Sequence, residues 1–180
     1  MKARFSVAGR RVDRFDLAVD AAFDRIRGNT VADRVFYAAS ELGEFGLVWV
    51  TLGVVKSLRR NDDLAAAARM TAAMGVESLL VNGIIKSFFQ RTRPPWEVER
   101  PLTIRRPLTS SFPSGHATAA VSAAMMLSED DKLWPLYVAI AALVATSRIY
   151  VKIHHATDVA AGVTLGVGLG LLGRRLATAH

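Results

Sequence analysis

The sequence predicts an all-α, multi-pass membrane helical bundle: about five spanning helices behind an N-terminal amphipathic helix. Three observations carry this. Hydrophobic residues make up 51% of the 180-residue chain while aromatics supply only 8%. The apolar mass is therefore Ala, Val, Leu, Ile and Met, the residues of closely packed membrane helices. Several apolar stretches approach the ~20 residues that cross a bilayer core. Five of the six prolines fall within residues 90–113, so helix-breaking is concentrated in one place. There is no strand-like alternation, internal repeat or low-complexity tail.

Residues 1–34 read as a basic N-terminal segment. Within it "DRFDLAVDAAFDRIR" (13–27) sets Phe15, Leu17, Val19, Ala22, Phe23 and Ile26 on roughly one face, the pattern of a helix lying on a membrane surface. "GNT" (28–30) stops it. Residues 35–175 form the membrane domain, and 176–180 a short tail. The first span is expected over 35–55, although it carries Glu41 and Glu44. "KSLRRNDD" (56–63) is a polar turn, and a second long helix over 64–89 includes Arg69, Glu77, Asn82 and Lys86. The stretch 90–113, with five prolines and five arginines, is a loop. Loops of that length usually carry function. Helices follow over about 114–128, 133–151 and 156–173. The last places Gly162, Gly166 and Gly170 four residues apart, a face for close helix packing.

The net charge of +7 points to acidic partners: nucleic acid, anionic lipid or phosphate substrates. Nucleic acid is disfavoured, because the basic residues flank membrane spans and base-stacking aromatics are absent. Without cysteine there is no disulfide and no thiolate metal site. The eight Lys/Arg of residues 1–34, with no apolar run among them, do not read as a cleavable signal peptide.

Three polar islands interrupt the apolar chain. They are Lys86 with Arg93-Pro94, then Pro113-Ser114-Gly115-His116, then Ser147-Arg148 with His154 and Asp158. In an up-and-down bundle they fall at helix ends on one side. Lys86, Arg93 and Arg148 bring a point charge and two planar forks suited to phosphate oxygens. The Ser114–Gly115 amides at a helix start are an anion seat, and Gly115 permits close backbone approach. Of the two histidines, one suits a nucleophile and the other a general acid. Asp158, four residues after His154, suits a partner for one ring nitrogen.

Taken in order, Lys-x6-Arg-Pro, Pro-Ser-Gly-His and Ser-Arg-x5-His-x3-Asp resemble the three signature motifs of the type 2 phosphatidic acid phosphatase superfamily. That superfamily includes membrane lipid phosphatases, polyprenyl-diphosphate phosphatases, soluble acid phosphatases and vanadium haloperoxidases. The resemblance spans residues 86–158, about two-fifths of the chain. It implies a six-helix phosphatase core, a phosphohistidine intermediate, and no metal or other cofactor. By the same resemblance His154 is the nucleophile, Asp158 its orienting partner and His116 the general acid. Lys86, Arg93, Ser114, Gly115 and Arg148 form the phosphate cradle. Many relatives carry proline shortly after the nucleophile, where this chain reads His155-Ala156-Thr157.

The expected function is an integral membrane phosphatase acting on a lipid or polyprenyl phosphate. A soluble acid phosphatase, a haloperoxidase-like enzyme and a non-catalytic anion-binding membrane protein are the alternatives. The oligomeric state is left open. So are several roles: His155 as rim or substrate contact, Glu41, Glu44 and Glu77 as pocket-lining or structural, and Trp96 as interfacial or loop-packed. Arg91, Arg100, Arg105 and Arg106 read as a solvated basic loop, one of which can meet a headgroup. Positive charge in residues 1–34 and 90–113 places the motif side in the cytoplasm.

Overall fold

A computed structural model describes residues 7–60, 64–95 and 107–178. Trp96, Arg100, Arg105 and Arg106 lie outside the described residues. Among those described there are helices and no strand. They are α1 (Val7–Asp24), α2 (Thr30–Leu42), α3 (Leu47–Arg60), α4 (Leu64–Ser78), α5 (Gly115–Leu127), α6 (Trp134–Tyr150) and α7 (Ala156–Thr178).

The ends follow from local chemistry. Gly28, at φ +84°, stops the N-terminal segment. Asn29 then caps α2, its side-chain oxygen accepting from the amides of Val31 (3.0 Å) and Ala32 (3.1 Å). Ser114 caps α5, and Pro135 occupies the first turn of α6, where its missing N–H costs nothing. Asp131 organises the turn between those two helices. It accepts from the Leu133 amide (2.9 Å), from the Tyr137 hydroxyl (2.8 Å) and from Arg59 of α3.

Three buried clusters hold the bundle, two of them built on α5. Trp49 and Met70 and Met74 pack on Ala120, Ala124, Leu127 and Val144, joining α3 and α4 to α5 and α6. Ala117, Ala145, Ile149 and Val159 join α5, α6 and α7 nearer the motifs. Here the glycine spacing in α7 acts as expected. A Cβ at Gly162 would lie 2.5 Å from the Ser114 carbonyl oxygen, and one at Gly166 2.6 Å from that of Thr118. Bare backbone is what lets α5 and α7 approach.

Two expected helices come out differently. The 35–55 segment is not straight: α2 and α3 meet at 76° across Gly43–Gly46. Gly46 there takes φ +69°, a conformation that glycine alone adopts at little cost. The 64–89 helix runs as α4 only to Ser78, continues as a π-helix over Leu79–Ile84 and ends as a 3₁₀ turn over Ile85–Phe88. Wider and then tighter winding changes the register of everything after Ser78, Lys86 included.

Among the described residues, α7 alone is a single helix long and apolar enough to cross a membrane, over Ala156–Leu176 with a mean hydropathy of 1.5. The bent α2–α3 pair passes jointly, and α5 and α6 are apolar but shorter. The first helix turns only part of its apolar face toward the bundle. Val19 and Phe23 pack inward, but Phe15 and Leu17 stay exposed while Asp16 is buried.

Candidate active site

The turn from α6 to α7 explains the five-residue gap between Arg148 and His154. The Arg148 carbonyl accepts from the amides of Ile153 (3.1 Å) and His154 (3.0 Å), with Lys152 at φ +50°. The chain thus doubles back, and His154 lands over the end of the helix that carries Arg148. Its ring is buried. Nδ1 lies 3.6 Å from Asp158 Oδ2, and Nε2 lies 3.4 Å from an Arg93 guanidinium nitrogen. Burial pushes the imidazole pKa down to about 3; the Asp158 contact opposes this, and the charges of Arg93, Arg148 and Lys86 reinforce it. His154 is therefore neutral at physiological pH. A proton on Nδ1, the nitrogen that faces Asp158, leaves the Nε2 lone pair toward the cations.

Asp158 stands in the first turn of α7. Its Oδ2 also accepts from the His155 amide (2.9 Å), and its Oδ1 accepts from Arg91. Through its carbonyl it accepts from the Ser114 amide (3.0 Å), which ties the start of α5 to the start of α7. Gly115 follows the cap, and a Cβ there would collide with Asn82 Oδ1 at 2.6 Å. The absent side chain lets the π-helical segment reach the α5 N-terminus, whose first amides point out of the helix.

The three cations converge on this end. Arg148, fully buried, donates to the Ser40 carbonyl (3.2 Å) and hydroxyl of α2. Arg93 donates to the carbonyls of Pro107 (3.1 Å), Thr109 (3.1 Å) and Ile153 (2.9 Å), tying residues 107–109 to the residue before His154. Lys86, buried in the 3₁₀ turn, lies within electrostatic range of Arg93, Arg148 and Asp158. His116 stands in the first turn of α5, and Arg148 and Lys86 act on both histidine rings. All eight residues singled out by the motifs thus gather at one end of the bundle.

Some residues at this end the sequence left undecided or missed. Glu44, at the α2–α3 bend, lies 3.3 Å from His116 Nε2 and 3.7 Å from an Arg148 nitrogen. It lines the site, and its position between Gly43 and Gly46 was the available signal. Glu41 is exposed, and Glu77 is buried on α4 near Lys86. His155 sits on the rim, with Nε2 3.2 Å from the Thr92 carbonyl oxygen. Arg91 is not merely solvated: it pairs with Asp158 and with Asp16 of α1. Nothing in sequence spacing announced Asp16 or Ser40. Among the described residues no group of three or more His, Cys, Asp or Glu is arranged to hold a metal ion.

The PAP2 superfamily family model matches residues 66–179, more than half of the chain. The chain belongs to the PAP2 superfamily. It is 32% identical over 137 residues to the decaprenylphosphoryl-5-phosphoribose phosphatase of Mycobacterium tuberculosis, covering 74% of this chain and 73% of that one. Among solved structures, Aquifex aeolicus LpxE superposes with a TM-score of 0.69 at 26% identity, covering 88% of this chain and 94% of that one. The transmembrane PAP2-type phosphatidylglycerolphosphate phosphatase of Bacillus subtilis gives a TM-score of 0.75 at 24% identity, covering 94% and 87%. The second likeness speaks to the fold alone. This PAP2 protein is a phosphatase, and the resemblance read from its motifs is upheld at the level of the superfamily.

Proposed function

We propose that this PAP2 phosphatase is an integral membrane enzyme that cleaves a phosphomonoester or diphosphate of a lipid or polyprenyl substrate through a phosphohistidine at His154, without metal ion or cofactor. The observation that carries this is the setting of His154: buried, with Nδ1 3.6 Å from Asp158 and Nε2 3.4 Å from Arg93. In the first step His154 Nε2 forms a bond to phosphorus as the bond to the leaving oxygen breaks, and His116 gives that oxygen its proton. In the second, His116 takes a proton from water, whose oxygen attacks phosphorus, and phosphate leaves with His154 restored. Lys86, Arg93, Arg148 and the Ser114–Gly115 amides stabilise the charge on the non-bridging oxygens. Glu44, 3.3 Å from His116 Nε2, is placed to orient that ring.

Among lipid phosphates, the Mycobacterium tuberculosis relative favours a polyprenyl-phosphoryl sugar phosphate. Phosphate release by the detergent-purified protein tests this across a panel: such a sugar phosphate, phosphatidic acid, phosphatidylglycerophosphate and undecaprenyl diphosphate. The sugar phosphate is expected to give the highest kcat/KM. Vanadate, a pentavalent mimic of the phosphoryl transition state, is expected to inhibit and EDTA to have no effect. Turnover of none of these lipids, or clear inhibition by EDTA, overturns the proposal.

The motif end is assigned to the cytoplasmic side, on the strength of the basic residues of 1–34 and 90–113. That side suits an intermediate made on the inner leaflet. A single cysteine at Thr109, in this cysteine-free chain, is expected to react with an impermeant thiol reagent only after cells are opened. Labelling in intact cells puts the site outside.

A further inference from the structure

We propose that Arg91 and Asp16 are positioning residues for the reaction, and that α1 is thereby part of the catalytic apparatus rather than only a surface helix. This rests on the reading of His154 and Asp158 given above. Asp158 can orient His154 only if its own carboxylate is held against rotation. One oxygen, Oδ2, meets the His155 amide and the His154 ring; the other is held by Arg91. The Arg91 fork is itself fixed from two sides. One nitrogen also donates to Thr157 Oγ1 (2.7 Å), and the other donates to Asp16 Oδ2 (2.6 Å). Asp16 completes the set by accepting from the Thr157 amide (2.8 Å) and hydroxyl (2.9 Å).

Burial makes this arrangement specific. The Asp16 side chain is 6% exposed and that of Asp158 0%, so each carboxylate needs its partner, and the shared partner is one half-buried guanidinium. A planar fork reaches both carboxylates at once, which a point charge cannot do. The placement of α1 agrees: Asp16, Val19, Asp20 and Phe23 turn inward, and Asp20 pairs with Lys152 (3.0 Å) of the α6–α7 turn. Both ends of the turn that carries His154 are therefore held from α1. This helix lies outside the 66–179 match, and Arg91 lies among the unspecified positions between Lys86 and Arg93.

The test is steady-state and rapid-quench kinetics on Arg91→Gln, Arg91→Lys, Asp16→Asn and the double variant Asp16→Asn/Arg91→Gln, with melting temperatures in detergent. Arg91→Gln is expected to lower kcat and the rate of phosphoenzyme formation by about 10- to 100-fold, as a displaced reacting group does, with KM changed less than about twofold. Arg91→Lys recovers part of the loss. Asp16→Asn, which keeps a carbonyl for the Thr157 amide, gives a smaller loss in kcat, and the double variant is no slower than Arg91→Gln because both act along one path. A raised KM with kcat intact would make Arg91 a substrate contact and overturn the proposal. So would multiplicative losses in the double variant, or losses in kcat that follow melting temperature across all four. His154→Gln is the separate control: if it still forms phosphoenzyme, the reading of the site itself falls, whatever the Arg91 variants do.

Discussion

Replacing His154 by Gln is expected to remove phosphate release, by roughly four orders of magnitude or more, as loss of a covalent nucleophile does. The protein should stay folded and still bind vanadate weakly, since the three cations and the α5 amides remain. Gln fills the volume and offers hydrogen bonds but has no nucleophilic nitrogen. The neighbouring His155→Gln is expected to keep most activity, because that ring faces the Thr92 carbonyl on the rim. The two adjacent histidines are separated by what they face. His154 meets Asp158 and Arg93, whereas His155 contributes its backbone amide to Asp158. Equal loss from both substitutions would contradict the assignment.

The second large effect comes from a residue with no chemistry of its own. Gly162→Val puts a Cβ 2.5 Å from the Ser114 carbonyl and 3.1 Å from Ala117 Cβ. Neither can yield without moving α5 away from α7. Overpacking of that kind costs about 1–3 kcal/mol in stability. The functional cost is larger, because the same displacement strains the Ser114 amide's bond to the Asp158 carbonyl, the joint between the cradle and the nucleophile's partner. A shift of about 1 Å at such a joint lowers the rate about 100-fold. Gly168→Val is the matched control: a Cβ there meets nothing within 4 Å, so both melting temperature and kcat should stay near wild type. Similar behaviour of the two valine variants would show that the glycine face does not position the site.

Much of this was legible in the sequence, for physical reasons that can be named. Lys86, Ser114, Arg148 and Asp158 interrupt apolar runs at helix ends, and alternating helix directions bring such ends to one side. The four-residue glycine spacing announced a close helix approach, here of α7 on α5, because helical periodicity puts Gly162, Gly166 and Gly170 on one stripe. What escaped depends on contacts between distant elements. Residues 35–55 read as one apolar helix, since hydropathy does not register a bend; Gly43 and Gly46 permit it, and Glu44 facing Arg148 and His116 gives it a consequence. The π-helical turn at Leu79–Ile84 has no compositional signature. In α1 the apolar stripe, whose Phe15 and Leu17 stay exposed, gave no sign that Arg91 and Thr157 would draw Asp16 inward.

The most direct test of the account is to trap the covalent intermediate and find its position. His116→Ala removes leaving-group protonation and water activation while leaving His154 and its partners in place. With a ³²P-labelled substrate whose leaving group needs no proton, this variant is expected to accumulate an acid-labile, alkali-stable phosphoprotein. Peptide mapping by mass spectrometry should then place the phosphate on His154. Label on His155, or continued turnover by His116→Ala with no labelled protein at any quench time, would contradict the mechanism.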